Sequence, residues 1–177
     1  MNKNHYSSVF SIQYPDGAAG QATSPQDAQR LGDDRERLAY GHAEKREYAQ
    51  ALPLYEQARA SFEAAGVRAG VGTACSGIAA CYANMGQPAR ALPLLEQARA
   101  SIEAAGDRWG VGTACNGIAS CYADMGQHAR ALPLYEQARA ILEAAGDRAN
   151  ADHARQNIAA CFASMGLYAA CFASMGL

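Results

Sequence analysis

Along most of the chain, apolar and small residues recur at three- and four-residue spacings, which puts them on one face of a helix. Leu38, Ala39 and His42 share such a face, as do Ala51, Leu52, Tyr55, Ala58 and Phe62. The runs that follow are Ala74–Ile78–Ala79–Tyr82, Ala91–Leu95–Ala98–Ile102, Ile118–Ala119–Tyr122, Ala131–Tyr135–Ala138–Leu142 and Ile158–Ala159–Phe162. Gly66, Gly86, Gly106, Gly126, Gly146 and Gly166 close these runs, each supplying a left-handed helix end. Ser24-Pro25-Gln26-Asp27 reads as a helix start, with an N-cap serine, a first-turn proline and an acid near the positive end. Gly32 is expected to interrupt that helix, so the main first helix is predicted from Asp33-Asp34. Pro53, Pro93 and Pro133 place further starts near residues 49, 89 and 129, where a missing amide falls among first-turn donors that lack partners anyway.

The pattern is a repeat. Residues 51–90 match residues 91–130 at 32 of 40 positions, differing only at 55, 62, 67, 69, 76, 80, 84 and 88, and residues 131–170 match at 23 of 40. A fixed period of this length predicts a stacked array in which each unit buries its apolar face against its neighbours. The boundaries it suggests are a flexible tail at 1–24 and a repeat domain at 25–170, with units at about 33–66, 67–106, 107–146 and 147–170. An irregular end at 171–177 follows. There AACFASMGL, first seen at 159–167, returns at 169–177 after Tyr168. The array thus ends apolar where a polar capping helix is expected.

Composition narrows the function classes. The net charge is −2, from 15 Lys and Arg against 17 Asp and Glu, which gives no basic stripe for nucleic acid. No apolar run approaches the roughly 20 residues that span a bilayer. A cytoplasmic protein with reduced thiols is expected. Cys75/Cys81 and Cys115/Cys121 are six apart, about 600° around a helix, so the paired thiols point to different faces. Structural zinc sites use closer cysteine spacings. The cysteines therefore read as small core residues, with no metal and no cofactor expected.

The order Ile78-Ala79, Tyr82, Gly86, Ala91, Leu95, Ala98 resembles the tetratricopeptide repeat, and ALPLYEQARA is similar to the forty-residue repeats of the kinesin-light-chain type. Arg35, Cys75, Cys115 and Arg155 stand where that family carries its signature tryptophan. The resemblance implies an all-α fold, a right-handed superhelical solenoid of antiparallel helix pairs, whose first helices line a concave groove. It further implies a protein–protein interaction scaffold or adaptor, not an enzyme. Its groove positions map to Asp33, Glu36, Arg37, Tyr40 and Glu44, then to Thr73, Ser76, Ala80 and Asn84. Later units give Thr113, Asn116, Ser120 and Asp124, then His153, Gln156, Asn157 and Ser164. Thr73, Ser76 and Gly77 replace the cations with which some relatives clamp a C-terminal carboxylate, so neither such capture nor a strongly acidic ligand is expected, and the partner is a protein or peptide segment.

Three smaller expectations complete the reading. Glu56/Arg59, Glu96/Arg99 and Glu136/Arg139 are expected to form exposed ion pairs. Trp109, at a turn between units, reads either as packing at the joint, the preferred reading, or as an exposed contact residue. The apolar residues 168–177 raise self-association into a homodimer as the alternative function.

Overall fold

In a computed structural model the described residues are 24–166. The expected tail and the duplicated segment after Tyr168 lie outside them. Among the described residues the chain forms α1 (Pro25–Glu44), α2 (Tyr48–Ala65), α3 (Arg68–Asn84), α4 (Pro88–Ala104), α5 (Arg108–Asp124), α6 (His128–Ala144) and α7 (Arg148–Ser164). Connections of two or three residues fold each helix back along the one before it. The result is an all-α solenoid of antiparallel helix pairs.

Bulky side chains of the second helices hold the stack by lying on glycines of the first helices. Phe62 of α2 is 1% exposed. A Cβ built on Gly32 of α1 would lie 2.7 Å from its ring, and one on Gly70 of α3 would lie 2.5 Å away. Forty residues on, Ile102 of α4 meets Gly72 of α3 and Gly110 of α5 in the same way, at 2.7 and 2.6 Å. The third copy is half complete. Ile141 and Leu142 cover Gly112, but Asn150 stands where Gly70 and Gly110 stood.

These contacts correct the reading of Gly32. It does not break α1, which runs unbroken from Pro25, capped by the Ser24 hydroxyl that accepts from the Asp27 amide at 3.1 Å. Gly32 is there because the Phe62 ring needs its missing side chain.

The prolines also need revision. The second helices start at Tyr48, Pro88 and His128, one residue from expectation, but this puts Pro53, Pro93 and Pro133 inside the helices. Each therefore withholds an amide from a carbonyl four residues earlier, at Ala49, Ala89 or Ala129. All three alanines are exposed, so water can serve those carbonyls and the helices continue.

Turns follow the glycine rule with one exception. Gly86 adopts φ 71°, while Arg46 takes φ 61° at the corresponding place after α1. There His42 Nδ1 lies 2.7 Å from Glu47 Oε2 across the turn. Arg90 and Arg130 brace the later turns, donating at 2.9 Å to the hydroxyls of Tyr82 and Tyr122 with the guanidinium over each ring.

The ion pairs on the second helices are displaced from expectation. Arg59 and Arg139 reach forward to Glu63 and Glu143, at 3.7 and 3.8 Å, rather than back to Glu56 and Glu136. Helical side chains four apart lie closer to one line than those three apart, and the i, i+4 geometry wins here.

Gly70→Ala separates helix propensity from packing. Alanine favours a helix by roughly 1 kcal/mol over glycine, whereas overfilling a packed site costs roughly 1–3 kcal/mol. The expected outcome is a net loss of stability, read as a lower urea midpoint. The same change at exposed Gly41, which has nothing within 4 Å of an added Cβ, raises the midpoint.

Candidate functional site

The curvature of the array follows from which helices meet. Consecutive helices pack throughout, and first helices also touch first helices: α1 with α3, α3 with α5, and α5 with α7. The second helices α2, α4 and α6 make no such contacts with one another. Small residues explain the asymmetry. Gly70, Gly72, Ala74 and Ala79 bring the α3 backbone close to its neighbours, while tyrosine, leucine and phenylalanine hold the second helices apart. First helices therefore line the inner face.

Two cavities lie on that face. One, of about 650 Å³, sits between α1 and α3 and is lined by Asp33, Glu36, Arg37, Tyr40, Thr73, Ser76 and Ala80, with Tyr55 and Gly77 beneath. The other, of about 520 Å³, runs between α3 and α5 past Thr73, Ser76, Asn84, Thr113 and Ser120. Its floor and ends are Leu95, Ile102, Gly117, Asp107 and Trp109.

The structure thus brings together Arg37, Tyr40, Thr73, Ser76, Asn84, Thr113 and Ser120. It does not place Asn116, Asp124, Gln156 or Asn157 in either cavity. Asn116 is half-buried, and its Oδ1 is enclosed without a hydrogen-bond partner. Asp124 and Gln156 are exposed and Asn157 is half-buried. On the expected wall, local bonds occupy several groups. The hydroxyls of Thr73, Ser76 and Thr113 donate to carbonyls four residues back, and Asn84 Nδ2 donates to the Ala80 carbonyl. Each hydroxyl keeps acceptor capacity toward the groove. Arg37, expected as the groove base of the first unit, is exposed and paired with Asp34 at 3.1 Å. Burial, and then Asp33, push the Glu36 carboxyl above its ordinary range.

Sequence reasoning missed the apolar floor: Tyr55, Leu95, Ile102 and Gly117. A signal was present, because 55/95 and 80/120 are among the few positions where the near-identical copies differ.

Trp109 does more than pack. Its indole is 47% exposed at one end of the α3–α5 cavity, and Nε1 donates to Asp147 Oδ2 at 2.8 Å. Asp147 is the N-cap of α7, accepting from the Asn150 amide at 3.1 Å, as Asp107 caps α5 by accepting from Gly110 at 2.9 Å. Both acids are thus caps. Val67 holds the corresponding place before α3, and no side chain caps that helix.

The cysteines are core residues. Cys75, Cys81, Cys115, Cys121 and Cys161 are buried, and burial pushes their thiols up, Cys121 to about 11. Among the described residues no group of three or more His, Cys, Asp or Glu is placed to hold a metal ion. No helix there is long and apolar enough to cross a membrane.

Residues 111–170 match the tetratricopeptide repeat family model. The fold is that of tetratricopeptide repeats. Among solved structures, BtubC (BKLC) from P. vanneervenii is similar with a TM-score of 0.75 at 19% identity, over 86% of this chain. The chain spans 62% of the length of that structure. The TPR domain of Arabidopsis FLU gives 0.63 at 18% identity, over 66% of this chain and 98% of its own. The nearly identical TPR-like repeats of a kinesin-light-chain-type protein from Podosopora anserina give 0.70 at 21% identity, covering 84% of this chain and 73% of theirs. No curated protein matches the chain in sequence. Tetratricopeptide-like repeats are in general protein-interaction scaffolds rather than enzymes.

Two measurements follow. The hydrogen bonds from Asn150 and Trp109 hold the Asp147 carboxyl below its usual range. A depressed carboxylate stabilises the fold above its unfolded pKa, and that stability is lost as pH falls through the folded pKa. Asp147→Asn should therefore lower the melting temperature at neutral pH and flatten its fall below about pH 4. Iodoacetamide at pH 8 should leave the five buried cysteines unmodified in the native protein and alkylate them in denaturant, as peptide mass mapping will show.

Proposed function

We propose that this chain is a non-catalytic interaction scaffold, acting in the cytoplasm, that holds an extended segment of a partner protein along the inner face of α1, α3, α5 and α7. The observation that supports it most is the meeting of first helices while second helices stay apart. This leaves two neighbouring cavities on the inner face, one between α3 and α5 with hydroxyl groups and Asn84 over an apolar floor, and one between α1 and α3 that also meets Asp33, Glu36 and Arg37. Such a wall pairs with the backbone groups of an extended peptide and takes side chains into its floor. Its charge is low and mixed. Arg37 faces Asp34, Asp33 and Glu36 stand at the α1 end, and Thr73 and Thr113 occupy the central wall, so a strongly acidic ligand has no counterpart there. The convex second helices carry the arginine–glutamate pairs and stay in water. Self-association through residues 168–177 rests on chain outside the described residues.

A displayed library of random peptides, selected on the full chain, tests the groove. Thr73→Arg and Thr113→Arg place a long cation on exposed inner positions and should weaken the selected binders about tenfold or more, the effect of one badly filled contact. Glu96→Arg, on the exposed side of α4, should leave them unchanged, and all three variants should keep the parent melting temperature. Binders indifferent to both groove substitutions would assign the interaction to another face.

A further inference from the structure

The forty-residue period lets each joint of the groove be compared with its neighbours. Beside α5, Tyr135 of α6 is 2% exposed, and its hydroxyl lies 3.0 Å from that of Ser120. Between α1 and α3 the corresponding ring is Tyr55, buried against Gly77 so closely that a Cβ there would overlap it. At the α3–α5 joint both members of the tyrosine–serine pair are replaced: Leu95 stands where the tyrosines stand, and Ala80 stands where Ser120 does. Gly117, the counterpart of Gly77, remains, and a Cβ on it would sit 3.2 Å from Leu95. The joint has lost a phenol and its hydroxyl partner while keeping the glycine that makes room for a ring. The cavity of about 520 Å³ lies there, lined by Leu95, Ala80 and Gly117 and reaching Trp109.

We infer that this joint is a side-chain socket, in which a bound partner segment seats one bulky apolar side chain of the phenylalanine class where the other joints carry their own tyrosine. The inference rests on the groove reading and names what the groove selects. The neighbouring joints indicate the occupant's shape, since the equivalent second-helix place holds a tyrosine ring in each, Tyr55 against Gly77 and Tyr135 with Asn157 in the glycine's place. Chemistry then discriminates within that shape. Ala80 offers no hydroxyl in the place where Ser120 meets Tyr135, so a buried phenol would lose its water without gaining that bond. A phenyl or leucyl group loses nothing there. Leu95, Ile102 and Gly117 present no charge, and the Asp107 carboxylate at the cavity's end is engaged as the cap of α5.

The same library, selected on the full chain, on Leu95→Tyr and on Ala80→Leu, tests the socket. Leu95→Tyr restores the neighbouring joints' ring. Ala80→Leu plugs the cavity from an exposed position on α3, so it reads the same loss without touching the core. The parent chain should enrich peptides sharing one Phe- or Leu-class position, and both variants should bind them at least tenfold more weakly at unchanged melting temperature. Ala80→Ser should shift the preference at that position toward Tyr, since a site that hydrogen-bonds a hydroxyl discriminates for it. Emission of Trp109, the sole tryptophan, should move with the Phe peptide and not with its Ala analogue.

Peptides that lose affinity with Thr73→Arg yet share no bulky apolar position, or that ignore both plugging variants, would leave the groove standing and overturn the socket. A selection that enriches nothing would overturn the groove, and the socket with it. Self-association abolished by Leu95→Tyr would give the socket to a second copy, and affinity gained on deleting residues 1–23 would give it to the chain's own leader. Either result overturns the assignment to a partner.

Discussion

A large side chain of α2, and again of α4, lying on bare backbone of two first helices is the contact on which this solenoid depends. Phe62 spans Gly32 and Gly70, and Ile102 spans Gly72 and Gly110. One residue thereby joins the two helices of its own unit and ties that unit to the next. Such a contact is short-range and steep: dispersion gain falls off within an ångström, and a single methyl in the way turns attraction into overlap. Glycine in a helix is unfavourable by itself, so its recurrence inside α3 and α5 shows that packing, not propensity, sets those helices.

The same asymmetry of size makes the inner face. Small residues let first helices approach one another, bulky ones keep second helices apart, and a stack with one closer row must bend toward it. The groove is thus a consequence of the core and not an addition to it. Its polar wall is the solvent side of the helices whose other sides are glycine, alanine and buried cysteine. The outer row carries arginine–glutamate pairs, where Arg59 and Arg139 meet Glu63 and Glu143. Regularity fades after residue 147. Asn150 replaces the glycine that would receive the next large side chain, and Trp109 with Asp147 supplies a polar tie across that joint.

Near-identity of the repeats gives the few differences their meaning. Tyr55, Leu95 and Tyr135 occupy one place in three units, and Tyr40, Ala80 and Ser120 occupy the place facing it. Two of the three joints carry their own tyrosine, with a cavity lined by Asp33, Glu36 and Arg37 beside Tyr55 in the first. The central joint has an apolar floor without a phenol because two substitutions fall on the two sides of one contact.

Period, helix number, turn glycines and the inward row of Ala91, Leu95, Ala98, Ile118 and Ala119 were legible in the residues alone, because helical spacing and a left-handed glycine are local facts. Second-helix starts fell within a residue for the same reason. What failed was anything requiring knowledge of a neighbour. Gly32 looked like a break because nothing local shows the Phe62 ring above it. Pro53 looked like a first-turn residue, but with the helix starting at Tyr48 its missing amide falls just past the first-turn donors that lack partners anyway. Of the groove residues, Thr73, Ser76, Asn84, Thr113 and Ser120 share a cavity, but Asn116, Asp124, Gln156 and Asn157 do not, since a helix face is fixed by sequence and what stands opposite it is not. By itself, then, the sequence determined the units and their number. Which side chains meet between units, and therefore where the groove is filled and where it is open, was decided only in the tertiary structure, because those contacts depend on ångström clearances between helices brought together by packing.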